Sequence, residues 1–215
     1  MTKGFTLAVR GAFTAHRAKW LALGDSTHGE KSLKSLAAAI KAGQIDLPEL
    51  GVTTVLIEGP TKGQEEAFEN GAYAAAVRII KAQKIIVRGC ETKATLSSGG
   101  EMEKLPTDDP VVYSAAKSAL LDRRITDAND SWIKQVQDCK PNVIICVGTS
   151  HLARMRTPNA SDLGLIVRLG FKGSCVGYAV EDANTDAGTY IPEKGTGSFD
   201  SLEAIAAYTG WEAIV

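Results

Sequence analysis

The sequence predicts an α/β domain, with a mixed, mostly parallel central sheet flanked by helices on both faces. Three observations carry that expectation. Short apolar runs alternate with longer amphipathic segments, the order of strands joined by crossover helices. The polar residues suited to chemistry fall just after the apolar runs, at the strand ends where such sheets bind ligands. The balance of 44% hydrophobic and 23% charged residues is that of an ordinary globular chain.

WLALG (Trp20 to Gly24) reads as a buried strand ending in a glycine turn. Ser32 to Ala42 reads as a helix, with Leu33, Leu36, Ala37 and Ile40 at helical spacing. TTVLIE (Thr53 to Glu58) is a second strand, closed by Gly59-Pro60. Gly63 to Gln83 reads as a long alanine-rich helix, whose stripe Ala72, Ala75, Ala76, Ile79 and Ile80 is core packing. KIIVRG (Lys84 to Gly89) is the third strand. Thr92 to Pro110, with Gly99-Gly100 and two prolines, is the best loop or lid candidate (92–110). Val111 to Cys139 is helical, with a break expected near Thr126. NVIICVG (Asn142 to Gly148) is the strongest strand signal. Ser161 to Leu169 is a helix that Gly170 can cap, and GSCVGYAV (Gly173 to Val180) a fifth strand. Glu181 to Ser198 is a polar tail, and Ser201 to Tyr208 a last short helix.

The length of 215 residues suits a single domain spanning 1–215 with a core of its own. A formal net charge of -1 gives no electrostatic case for nucleic acid or an anionic membrane surface. The four cysteines form no C-x-x-C pair, and Cys146 and Cys175 lie in apolar runs, a pattern that favours a reducing compartment. The N-terminus lacks the apolar core of a secretory leader, and no apolar stretch is long enough to span a bilayer. The expectation is a cytoplasmic protein or a domain excised from a larger secreted one, of open oligomeric state, acting on a small molecule or a peptide. Nucleotide-binding fingerprints (G-x-G-x-x-G, G-x-x-x-x-G-K-[ST]) and the G-x-S-x-G elbow are absent.

Four strand ends carry chemistry-grade side chains. They are Asp25, His28 and Glu30 after the first, Glu58 after the second, Arg88 and Glu91 at the third, and Ser150 and His151 after the fourth. In a parallel sheet these ends share one edge. His28, Glu58 and His151 are then candidates for general acid–base chemistry on a bound water or for holding a divalent metal ion. Asp25 and Glu91 are supporting carboxylates in the same catalytic group. Glu30, Arg88, Ser150 and Arg124 are candidates for substrate binding. Each has a plainer reading: Asp25 as a helix N-cap, Glu30 as a first-turn residue suited to the dipole, Arg88 and Glu91 as an ion pair. His16, among Ala15, Arg17 and Lys19, reads as surface.

LALGDSTHGE resembles the first motif of erythromycin esterases, Gly-Glu-x-Thr-His-Gly, and LIEGP follows where that family has a strand ending in glutamate. VIICVGTSHLARM, then LGLIVRLGFKGSCVGY, is similar to the Gly-x-x-His segment of TraB/Tiki and ChaN-like proteins. RGCE sits where that group often has Gly-x-Asp, and RRITDANDSWIKQV resembles the helix before the second histidine motif. The resemblance runs from Trp20 to Tyr178. It implies a mixed sheet flanked by helices, with His28, Glu58 and His151 at one edge. It also implies a hydrolase of an ester or peptide bond, with or without a divalent metal ion. The alternatives within the superfamily are haem or metal capture in the manner of ChaN, and a non-catalytic toxin-effector domain that keeps the pocket. Two departures stand out: Asp25 replaces the esterase glutamate, and Asn129 lies where relatives often carry arginine.

Overall fold

A computed structural model describes residues 3–61, 71, 73–92, 101, 104–105, 109–152, 154–155, 164–170, 175–182, 187–191, 198–199 and 213–214. The chain order is α1 (Lys3–Thr14), β1 (Trp20–Asp25), α2 (Glu30–Lys41), β2 (Thr54–Thr61), α3 (Ala74–Ala82), β3 (Ile86–Glu91), α4 (Pro110–Gln137) and β4 (Val143–Gly148). There follow a 3-10 turn (Thr149–His151), β5 (Arg154–Met155), α5 (Gly164–Gly170), β6 (Cys175–Asp182), β7 (Ala187–Ile191), β8 (Ser198–Phe199) and β9 (Ala213–Ile214).

Among the described residues seven strands form one sheet in the order β3-β2-β4-β1-β6-β7-β9. The first five are parallel; β7 runs antiparallel to both β6 and β9. Strands β5 and β8 pair separately. The expected mixed, mostly parallel sheet is the observed one.

Strand alternation sorts the core onto two faces. Leu21, Leu23, Val55, Ile57, Val87, Ile144, Cys146 and Tyr178 pack with buried residues of α1, α2 and α3. Ala22, Leu56, Ile145, Val147 and Ala179 pack with those of α4 and α5. Each Leu or Ile so buried contributes about 1.5–3 kcal/mol. Edge contact between the Phe5 and Tyr178 rings, centroids 5.8 Å apart, fastens α1 to the sheet.

This layering positions the site. After β1 and β2 the chain continues into helices on the α1–α3 face, whereas after β4 it passes to the α5 face. Strand β4 lies between β1 and β2, so its carboxyl end borders strands that exit the other way. Such reversals open a crevice at the strand ends.

Several elements differ from expectation. Strand β2 runs on through Gly59-Pro60 to Thr61, with a register shift against β3 between Ile57 and Thr61; an irregularity of that kind accommodates a proline that cannot donate to the ladder. Helix α4 is unbroken at Thr126, since a β-branched residue costs an interior turn only a few tenths of a kcal/mol, about 0.5. It opens at Pro110, with the Asp109 carboxylate accepting from the Val111 and Val112 amides. The segment read as a polar tail contains β7. Helix α2 begins at Glu30, two residues early, because Gly29 turns the chain at φ +86°. Ala75, expected in the core stripe, is exposed. Most of 92–110, the first half of Gly63–Gln83, residues 161–163 and the Ser201–Tyr208 helix lie outside the described residues.

Candidate active site

Asp25, the last residue of β1, is 1% exposed and organises the turn that follows. One carboxylate oxygen accepts from the Thr27 amide (2.7 Å), the Thr27 hydroxyl (2.8 Å) and the Gly29 amide (3.0 Å). The other accepts from the Ser32 amide at 2.7 Å, inside the first turn of α2. Amides that would otherwise lack partners at the helix start are thereby satisfied. The turn carries His28 at φ +54°, a left-handed backbone that a non-glycine residue holds at a cost of about 1–3 kcal/mol when its surroundings enforce it. Gly29 cannot be replaced cheaply: a Cβ there would stand 2.4 Å from the Cys146 carbonyl oxygen. Asp25, expected as a supporting carboxylate or as a cap for the next helix, builds the loop that presents His28 and caps the start of α2.

His28 Nδ1 lies 2.8 Å from Glu58 Oε1. Glu58 is 3% exposed and follows Ile57, where the β2–β4 ladder ends. Its second oxygen accepts from the Gly148 amide at 2.6 Å, so the carboxylate bridges two neighbouring strands. His151, in the turn after β4, brings Nε2 to 3.7 Å from the same Oε1. The two imidazoles therefore face one oxygen, which limits their separation to those two distances laid end to end. A Cβ on Gly148 would stand 3.3 Å from Glu58 Oε2 and 3.7 Å from both His28 Nδ1 and His151 Cδ2. A side chain there would press on Glu58 Oε2 and touch both histidines, so glycine leaves the three side chains the most room.

His151 is held from below by α4. Its Nδ1 is 2.9 Å from Asn129 Oδ1, and its ring lies 4.4 Å from that of Trp132, tilted by 45°. Asn129 and Trp132 are both fully buried. Neither was among the expected site residues. The available signal was a polar residue inside the apolar stripe Ala128, Trp132, Ile133 and Val136, since a buried amide must find a partner.

The electrostatics follow the geometry. The hydrogen bond to Glu58 raises the His28 pKa above its usual 6.5, aided by the charges of Glu58 and Asp25; desolvation and Arg124 oppose this. For Glu58, burial favours the neutral acid, but the His28 hydrogen bond, the charge of His151 and the Gly148 amide outweigh it and hold the pKa below 4.5. Tyr73, half-buried at the start of α3, was also missed. Burial, then the charges of Glu30, Glu58 and Asp25, push its phenol up to about 12, so it remains a donor.

The remaining expected residues divide. Arg124 belongs to the neighbourhood: it acts electrostatically on His28 and lies 3.9 Å from buried Glu91. Glu91 therefore meets Arg124 rather than Arg88. Arg88 stands opposite Leu56, three residues short of the strand end, and is not brought to the cluster. Glu30 pairs with Lys34 on the surface of α2. Ser150 sits half-buried within the 3-10 turn. The Gly148 amide itself is taken by Glu58, which leaves it out of any oxyanion hole.

Among the described residues no group of three or more His, Cys, Asp or Glu side chains is disposed to hold a metal ion. Glu58 is hydrogen-bonded to His28 through one carboxylate oxygen and to the Gly148 amide through the other, and His151 Nε2 stands 3.7 Å from the first. The four cysteines are unbridged. Cys90 donates to the Ile57 carbonyl, and burial raises the Cys90 and Cys146 thiols well above the usual range. Among the described residues no helix is long and apolar enough to cross a membrane.

No family model matches the chain, and no curated protein matches it. Among solved structures it is similar to the C-terminal region of Pasteurella multocida toxin, a region in which crystal structures reveal a thiol-protease like catalytic triad. The TM-score is 0.56 at 12% identity, covering 97% of this chain and 28% of that one. The likeness is one of fold, and this chain spans little more than a quarter of the chain it matches.

Proposed function

We propose that the protein is a hydrolase of ester or peptide bonds in which His28 activates a water molecule, as the erythromycin esterase-like resemblance implies. One observation carries the reading: the exposed His28 ring is tied through Nδ1 to a buried, ionised Glu58, which leaves Nε2 toward solvent. This is the arrangement of a general base with its orienting carboxylate. Water gives a proton to His28 Nε2 as its oxygen attacks the acyl carbon. The tetrahedral intermediate then collapses, and the departing oxygen or nitrogen takes that proton back. Glu58 stays ionised throughout and stabilises the imidazolium. Arg124 supplies positive charge for the developing oxyanion. No step runs through a metal ion or haem.

The nucleophile in this reading is water rather than a thiol. Cys90 and Cys146 are buried and protonated, and Cys139 and Cys175 lie toward the amino edge of the sheet, after α4 and at the start of β6. A second reading is that of an effector domain within a larger toxin-like protein, favoured by the fold shared with the Pasteurella toxin region. The test is a panel of aryl esters and peptide amides with His28→Ala and His151→Ala. Hydrolysis by the parent chain that persists in His28→Ala rejects the mechanism. A folded chain inactive on the whole panel favours the effector reading.

A further inference from the structure

Two histidines facing one carboxylate oxygen pose a problem of protonation. A neutral imidazole has one N–H and one lone pair, and the partner of one nitrogen decides the state of the other. His28 meets Glu58 Oε1 at hydrogen-bond distance, whereas His151 Nε2 stops at 3.7 Å, too far for a hydrogen bond. Glu58 therefore does not set the orientation of His151. The contact that does is on the other side of the ring, where Asn129 Oδ1, an atom that can only accept, lies 2.9 Å from Nδ1. The Trp132 ring lies against the imidazole and closes off rotation.

We propose that Asn129 is a positioning residue of the site: its side-chain oxygen fixes a proton on His151 Nδ1 and so turns His151 Nε2 toward Glu58, opposite His28. The inference rests on the hydrolase reading only for its consequence in turnover; the orientation of the ring stands without it. The residue types fit. An amide oxygen fixes the tautomer without adding charge beside Glu58, whereas a carboxylate in its place would draw a full proton onto His151. Buried Asn129 also sits one turn before Trp132 on α4, so one helix face delivers both restraints.

The test is long-range proton–nitrogen NMR on histidine-labelled protein, with His16→Gln and His28→Gln used to assign the three rings. In the parent chain His151 Nδ1 is expected to read as protonated throughout pH 6–8. In Asn129→Leu the neutral ring is expected to move to the Nε2–H form, and Asn129→Asp is expected to restore the proton on Nδ1. A bare Nδ1 in the parent chain overturns the proposal, even if Asn129→Leu does not fold. An unchanged tautomer in a folded Asn129→Leu also overturns it. On any ester the parent cleaves, Asn129→Leu is expected to lose about 10-fold or more in kcat with KM little changed. Failure of every substrate would reject the hydrolase reading and leave the NMR result to decide this one.

Discussion

The two glycine–histidine turns reach the same carboxylate by opposite means. The His28 side chain is 71% exposed and the His151 side chain 5%. The first is positioned by backbone: a left-handed residue in a turn that Asp25 holds from within. The second is positioned by packing: an amide oxygen on one edge and an indole on the ring face. In the proposed reading His28 meets substrate and exchanges protons with water, so its ring cannot be enclosed and the restraint lies in the chain beneath it. The His151 ring is buried, and packing holds it. The two histidines should therefore fail differently when replaced.

The largest effect is expected at His28. His28→Ala should cut kcat about 10²–10⁴-fold and lower the urea midpoint less than His151→Ala does, because its ring is exposed and the loss is confined to the bond with Glu58. His151→Ala should lose activity and also about 2–4 kcal/mol of stability, since it opens a cavity against Trp132 and removes the buried hydrogen bond to Asn129. Equal loss of stability in the two variants would erase the contrast. Asp25→Ala should cost about 2–3 kcal/mol, because several buried amides lose a charged acceptor. It should slow turnover through the loosened His28 turn, whereas substrate affinity, read from KM, should change less. Gly29→Ala should cost about 2 kcal/mol, from the left-handed backbone together with the clash at Cys146.

The pH dependence sharpens the same comparison. The raised pKa of His28 means that its stabilising contribution is complete below 6.5 and is lost as pH rises through the folded-state value above it. The lowered pKa of Glu58 means that its contribution is present above 4.5 and is lost as pH falls through the folded-state value below it. The pair should thus give its full stabilisation between 4.5 and 6.5, falling away on either side toward the two folded values. Activity should rise with pH through the upper one, where His28 becomes a free base. Glu58→Gln should remove both features in thermal melts and in kcat/KM profiles. The smallest effect is expected at Glu30: Glu30→Gln breaks an exposed pair with Lys34, should cost about 0.3–0.5 kcal/mol, and should leave turnover unchanged.

The sheet was legible in the sequence because period and run length report burial directly. Trp20 to Gly24 and Asn142 to Gly148 are apolar on both faces, as central parallel strands must be. Helix α1 was legible in principle too: Phe5, Ala8, Val9, Ala12 and Phe13 fall at helical spacing and all are buried. Strand β7 was not. AGTYI is short, contains a glycine and forms by pairing with β6, a contact that local pattern does not encode. Within the site, His28, Glu58 and His151 could be picked out as strand-end residues. Their supports could not: nothing in the 22-residue interval between Asn129 and His151 says that the one faces the other. Asp25 was legible only as two alternatives, a catalytic carboxylate or a cap for the next helix, because a carboxylate after a strand looks the same whether it meets a substrate or its own loop.

The bond from the Gly148 amide to Glu58 has a consequence for how the sheet can be monitored. The β2–β4 ladder ends at Ile57 opposite Cys146, and the side chain of Glu58 takes the next donor beyond it. Were β4 to slip by one residue, that donor would come from Val147 or Thr149, a side chain would stand where Gly148 leaves room, and His151 would leave the carboxylate. The His28–Glu58 hydrogen bond thus acts as a checksum on strand alignment. The downfield imidazole proton it should produce in NMR would report, from one signal, whether a redesigned or grafted version of this domain has assembled its central strands in register.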